Sequence, residues 1–140
     1  MSGFRLAGIH PDMEDCHGPL PPHAKEGLRL FNAGEYFEAH EALELAWREE
    51  TGQVRRLYQG ILETAVTYLR IQRGNYVGAV KVYDRSRKWL RMWPDICCGV
   101  NVGKLRADLD QVIAEVQRLG PEHIAEFDQS LLKPVLWDEK

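Results

Sequence analysis

Long hydrophobic runs are missing from this chain. Nowhere do about 18 apolar residues follow one another, and no basic stretch leads into an apolar one near the start, so neither a membrane span nor a secretory leader is expected. The expected location is the cytoplasm, with no membrane association. An excess of positive charge is missing as well: 18 basic side chains stand against 21 acidic ones, a balance that argues against nucleic acid as a partner. Cysteine is scarce and odd in number. Cys16, Cys97 and Cys98 have no C-x-x-C spacing and make no even-numbered framework, so they are expected as thiols of a reducing compartment, without a metal of their own. No stretch alternates in the manner of a half-buried β-strand. No nucleophile–base pair, phosphate-binding loop or cofactor motif appears anywhere in the chain.

What remains is an ordinary globular composition, 44% hydrophobic over 140 residues, enough for one domain with one core. Residues 1–20 hold Gly3, Gly8, Pro11, Gly18 and Pro19 and read as an irregular arm, in or near which lie His10, Cys16, His17 and His23. Residues 21–120 read as the helical domain. Pro21-Pro22 opens a helix over 22–32, and Asn32-Ala33-Gly34 stops it. A second helix runs over 35–50, a third over 53–72 with Thr51 as its N-cap, and a fourth over 76–93 that Pro94 closes. Asn101 caps a fifth, whose Leu105, Leu109, Val112, Ile113, Val116 and Leu119 recur at three and four until Gly120-Pro121. Residues 121–140, with Phe127, Val135 and Trp137, are too apolar to float free and form a tail packed on the domain. The fold class is therefore all-α, a compact bundle of about five helices.

A weak internal repeat points to two stacked helical hairpins plus a C-terminal helix. Gly34-Glu35-Tyr36 with Ala39 recurs about forty residues on as Gly74-Asn75-Tyr76 with Ala79. The second copy has Val80 in place of His40 and Arg87 in place of Trp47.

That difference draws attention to the second helix. At 100° per residue, Tyr36, His40, Leu43, Glu44 and Trp47 share one stripe, which puts an imidazole and a carboxylate on an otherwise apolar face. In an antiparallel hairpin about Thr51-Gly52, Glu44 lies level with Gln59, His40 with Glu63 and Trp47 with Arg56, in reach of a cation–π contact. Trp47 is expected to be buried. Four polar side chains then converge between two helices.

Two physical readings of that convergence stand side by side. His40, Glu44 and Glu63 offer nitrogen and oxygen donors for a divalent metal ion, with Trp47, Gln59 and Arg56 around them. Alternatively, Glu44 accepts from His40 while Gln59 and Glu63 complete a purely structural network; removing Glu44 would then cost about 2 to 4 kcal/mol.

The residues Phe31-Asn32-x-Gly34-x-Tyr36-Phe37-Glu38-x-His40-Glu41-x-Leu43-Glu44-x-x-Trp47, then Tyr58-Gln59-Gly60-Ile61, then Arg73-Gly74-Asn75-x-x-Gly78-Ala79 resemble the DUF309 family of bacterial and archaeal proteins, a domain of unknown function. The resemblance spans roughly residues 24–92. It implies an all-helical fold. The family's H-x-x-x-E-x-x-W/Y pattern falls on His40, Glu44 and Trp47, and metal binding is suggested for it without a settled activity. Glu63 stands where the family pattern leads one to expect glutamine.

The functional expectation is a pocket for a metal or small ligand, with no hydrolytic activity of its own. The first alternative is a helical-hairpin module for an unknown protein partner, with Arg85, Arg87, Lys88 and Arg91 beside Trp89 or Trp93 as the rim of a groove. The second alternative is a metal-dependent hydrolase in which His40-Glu41-Ala42-Leu43-Glu44 stands in for H-E-x-x-H, with Glu41 as general base.

Overall fold

The computed structural model describes residues 13–139. The notional arm therefore lies mostly outside the described residues, His10 included. The described residues form an all-α bundle: α1 (Pro22–Asn32), α2 (Tyr36–Glu49), α3 (Arg55–Gln72), α4 (Tyr76–Leu90) and α5 (Val102–His123). Each of the first four helices packs on the next along the chain, and α5 lies against α4. Among the described residues no helix is long and apolar enough to cross a membrane.

The turns explain why the chain folds back where it does. Gly34 and Gly74 both take left-handed backbone conformations, with φ of 80° and 71°. Each supports the same closure: Glu35 N donates to Leu30 O at 2.9 Å, and Asn75 N donates to Arg70 O at 2.8 Å. A glycine at the residue after a helix end satisfies two otherwise orphaned carbonyls without a Cβ penalty. The repeat is thus a repeated helix stop. It gives α1/α2 and α3/α4 equivalent hairpin turns, and α3 becomes the central helix with α2 on one side and α4 on the other.

The core follows from this order. Tyr58, Tyr68, Phe31, Leu28, Leu43, Leu57 and Ile61 are among the largest fully buried side chains, most of them on α3. Phe31, Tyr36 and Tyr68 stack as an aromatic cluster with ring centroids 5.2 to 5.5 Å apart. Two glycines let the central helices approach. A Cβ on Gly60 would lie 2.8 Å from Leu90 Cδ2, and one on Gly27 would lie 2.5 Å from Leu43 Cγ. Between α3 and α4, Thr64 Oγ1 and Ser86 Oγ are 2.6 Å apart and lie 2.8 and 2.9 Å from the carbonyl oxygen of Gly60, so that one hydroxyl donates to the carbonyl and the other donates to its neighbouring hydroxyl. Every polar atom of that buried group is satisfied, which removes most of the cost of burying it.

Several expectations need correction. Thr51 does not cap α3: Val54 occupies that position with no side-chain cap, and the first turn is closed by backbone bonds from Arg55, Arg56 and Leu57. Asn101, by contrast, accepts from Lys104 N at 2.9 Å and caps α5 as expected. The regular part of α5 breaks at Gly120, where φ is 73°. A two-stranded antiparallel hairpin, β1 (Ile96–Cys97) and β2 (Val100–Asn101), precedes α5, where no strand was expected. Its turn residues Cys98 and Gly99 both have positive φ, and Trp137 adds a bridge to Val100.

The cysteines are not all thiols. Cys16 and Cys97 form a disulfide, 81 residues apart in sequence, and Cys98 is left as a buried free thiol. Cys98 N also donates to Cys16 O at 2.7 Å, so the segment before α1 is tied to the hairpin by both covalent and hydrogen bonds. The Asn32 side chain brackets Val135, donating to its carbonyl at 2.8 Å and accepting from its N–H at 2.7 Å. Val135, Leu131, Leu132 and Trp137 pack on the core.

Candidate functional site

A trough of about 400 Å³ runs along α3 between α2 and α4. Its floor is a stripe on α3, Gln59, Leu62, Glu63, Val66 and Arg70, at the three-, four-, seven- and eleven-residue offsets of one helical face. His40, Glu44 and Trp47 of α2 form one wall, and Val82 and Arg85 of α4 form the other. Five of the six residues singled out from the sequence therefore meet in one place. Arg56 lies elsewhere, in a neighbouring depression with Arg55 and Trp89.

The polar partnerships differ from the expected ones. Glu44 does not bond His40: its carboxylate takes Arg48 Nη2 at 3.3 Å, an exposed pair one helical turn apart. Glu63 is 7% exposed and accepts from Arg85 Nε at 2.7 Å. Gln59 Oε1 accepts from Arg56 Nη1 at 3.0 Å, which leaves its amide N–H groups without an acceptor among the described residues. His40 is half-buried and makes no hydrogen bond among the described residues; the Phe37 ring lies beside it at a centroid distance of 6.3 Å. The self-satisfied network of His40, Glu44, Gln59 and Glu63 is therefore not formed.

Trp47 is half-buried, less than expected, and packs against the core. Arg55, not Arg56, lies over its ring, 4.1 Å from the centroid, while Arg56 lies over Trp89 at 4.8 Å. Consecutive residues on α3 are about 100° apart, so height along the hairpin could not choose between them. The indole N–H of Trp47 is buried, with no hydrogen-bond partner among the described residues.

Arg70 is the lining residue that the hairpin about Thr51-Gly52 did not reveal. It is half-buried, and among the described residues its guanidinium makes no ion pair or hydrogen bond. Its Nη1 occupies the space above Gly78, where a Cβ would lie only 2.5 Å away. The signal was available. Glu63 and Arg85 are level across the turn at Gly74, and Arg70 and Gly78 are level by the same count.

His40, Glu44 and Glu63 line one trough but do not form a metal-binding set: no group of three or more His, Cys, Asp or Glu side chains is arranged to hold an ion among the described residues. Both carboxylates are instead engaged by arginines. Glu41, the would-be general base of a hydrolase, is exposed and does not line the trough. Of the basic stripe, Arg85 pairs with Glu63 and Arg87 with Asp110 at 2.9 Å, and Trp93 is buried. His23 pairs with Glu49 at 2.9 Å.

Fold and site together define a small all-helical bundle with an open polar trough beside its central helix. Residues 24–82 match the model of the DUF309 family, described as a domain of unknown function, so the resemblance holds over the segment that carries α1 to α3 and half of α4. An uncharacterized protein of Aquifex aeolicus (strain VF5) is 29% identical over 90 residues, 64% of this chain. The match spans 27% of that longer protein.

Proposed function

We propose that the trough along α3 is a binding site for a small organic ligand and that the chain binds this ligand without hydrolysing it. The observation that carries this reading is a set of polar groups lining one cavity with no hydrogen-bond partner for them among the described residues: the amide N–H groups of Gln59, the ring of His40 and the guanidinium of Arg70. Sites for small molecules combine a largely apolar lining with a few convergent polar groups that fix the ligand, and these three groups converge on one trough. A volume of about 400 Å³ suits a metabolite-sized molecule. Apolar side chains, Leu62, Val66 and Val82, supply the rest of the lining.

An organic ligand fits this donor set better than a divalent ion. Glu44 and Glu63 already serve Arg48 and Arg85, and a cation would have to displace both arginines to gather its ligands. A hydrolytic reading lacks its general base, since Glu41 faces away.

The test is a thermal-shift screen of the full chain against a metabolite library, with zinc and manganese included. Hits are expected among organic compounds; Val66→Trp, which fills the trough, should abolish their stabilisation, and Glu41→Ala should keep it. Stabilisation by the metals alone, abolished by His40→Ala, would overturn the organic-ligand reading in favour of a metal centre.

A further inference from the structure

We infer that the ligand of this trough is an amphipathic oxyanion, a carboxylate or phosphate monoester with an apolar body, whose charged head is held by Arg70. The inference rests on the binding role proposed above and adds the chemical class.

Three observations point the same way. The unused groups are mainly donors: an amide NH₂ and a guanidinium, with the His40 ring able to donate as well. A ligand that satisfies them must bring acceptors. Second, the charges of the trough are unevenly engaged. Each carboxylate of the lining is matched by one arginine, Glu44 by Arg48 and Glu63 by Arg85, which leaves Arg70 as a half-buried cation with no counter-charge among the described residues. A planar guanidinium presents paired N–H groups that suit the two oxygens of a carboxylate or phosphate.

Third, the fold holds that guanidinium at the positive end of a helix. Gly78 lies in the first turn of α4, and its missing Cβ makes room for Arg70 Nη1. The α4 dipole adds to the potential that an anion would meet there. Between this end and Gln59 the α3 stripe is about 16 Å long, from a rise of 1.5 Å per residue. Leu62 and Val66 lie between the two, so the apolar body has a surface to cover.

The experiment titrates the full chain by calorimetry with four probes that share a six-carbon body: hexanoate, hexyl phosphate, hexylamine and neutral 1-hexanol. Both anions should bind at least five-fold more tightly than hexanol or hexylamine. Arg70→Gln should weaken the anions about tenfold and leave hexanol unchanged, and Arg70→Lys should recover part of the loss. Arg73→Gln removes the same charge from an exposed position in the adjoining turn and should change nothing. A preference for hexyl phosphate over hexanoate would identify the head as a phosphate, and the reverse as a carboxylate.

Failures are separable. If hexanol or hexylamine binds as tightly as the anions, or if Arg70→Gln leaves anion binding intact, the anion class is wrong while the trough remains a binding site. If Arg73→Gln weakens the anions as much as Arg70→Gln does, the effect is one of net charge and the assignment to Arg70 is wrong. If none of the four probes binds, the binding reading itself falls.

Discussion

Two glutamates line the same trough, and truncating each to alanine should have very different consequences. Glu44 is 39% exposed at its side chain and its partner Arg48 is 62% exposed. Exposed pairs one turn apart on a helix contribute about 0.3 to 0.5 kcal/mol, so Glu44→Ala should cost no more than about 0.5 kcal/mol. Glu63 is buried, and its carboxylate holds Arg85 Nε at 2.7 Å. Glu63→Ala removes one packed methylene, about 0.8 kcal/mol by the usual burial value, and a charge-assisted hydrogen bond. Because Arg85 is 55% exposed at its side chain and regains water when the partner goes, that bond is discounted to about 1 kcal/mol. Relief from burying a carboxylate offsets part of the sum, and a net loss of about 1 to 1.5 kcal/mol is expected. Urea denaturation of the two variants at pH 7 measures the difference directly. Equal losses, or a larger loss for Glu44→Ala, would refute the pairing of Glu63 with Arg85 and restore the network centred on Glu44.

Other outcomes follow from the same structure. Cys97→Ser, or reduction of the Cys16–Cys97 bond, should lower stability by about 2 to 4 kcal/mol because the bond closes a loop of 81 residues; an unchanged urea midpoint after reduction would show that the bond is absent or idle. Gly60→Ala should destabilise by about 1 to 3 kcal/mol, since the new methyl meets Leu90 Cδ2 at 2.8 Å and Leu90 N at 3.3 Å; a stabilised variant, as helix propensity alone predicts, would mean that α3 and α4 are not this close. Burial raises the Cys98 thiol and the Tyr58 and Tyr68 phenols above their ordinary values. Their neutral forms therefore favour the folded state fully below the unfolded values and lose that effect as pH rises above them. From about pH 9 upward the unfolded chain binds fewer protons than the folded one, and the urea midpoint should fall; a flat or rising midpoint between pH 8 and 10.5 would contradict this.

Most of the fold was legible because its signals are local. Helix periodicity, the glycine stops at Gly34 and Gly74 and the Asn101 cap each act within a few residues, and all three appear in the structure. The disulfide was not legible, because it joins Cys16 to a hairpin strand 81 residues away and depends on how the segment before α1 lies over the body. Half of the trough could be read from the α2/α3 turn, which placed His40, Glu44, Trp47, Gln59 and Glu63 together. The partners could not. Arg48 reaches Glu44 from within α2, and Arg85 reaches Glu63 from α4, so each carboxylate found an arginine closer than the imidazole. Arg70 was missed because only the α3/α4 hairpin brings it to the same cavity as His40.

The most direct measurement is a ¹H–¹⁵N correlation spectrum of the full chain titrated with hexanoate, followed to saturation. Binding in the trough predicts shifts concentrated on Gln59, Leu62, Glu63, Val66 and Arg70. Shifts concentrated instead on Thr51, Gly52, Arg55, Arg56 and Trp89 around the neighbouring depression, or no shifts at all, would contradict it.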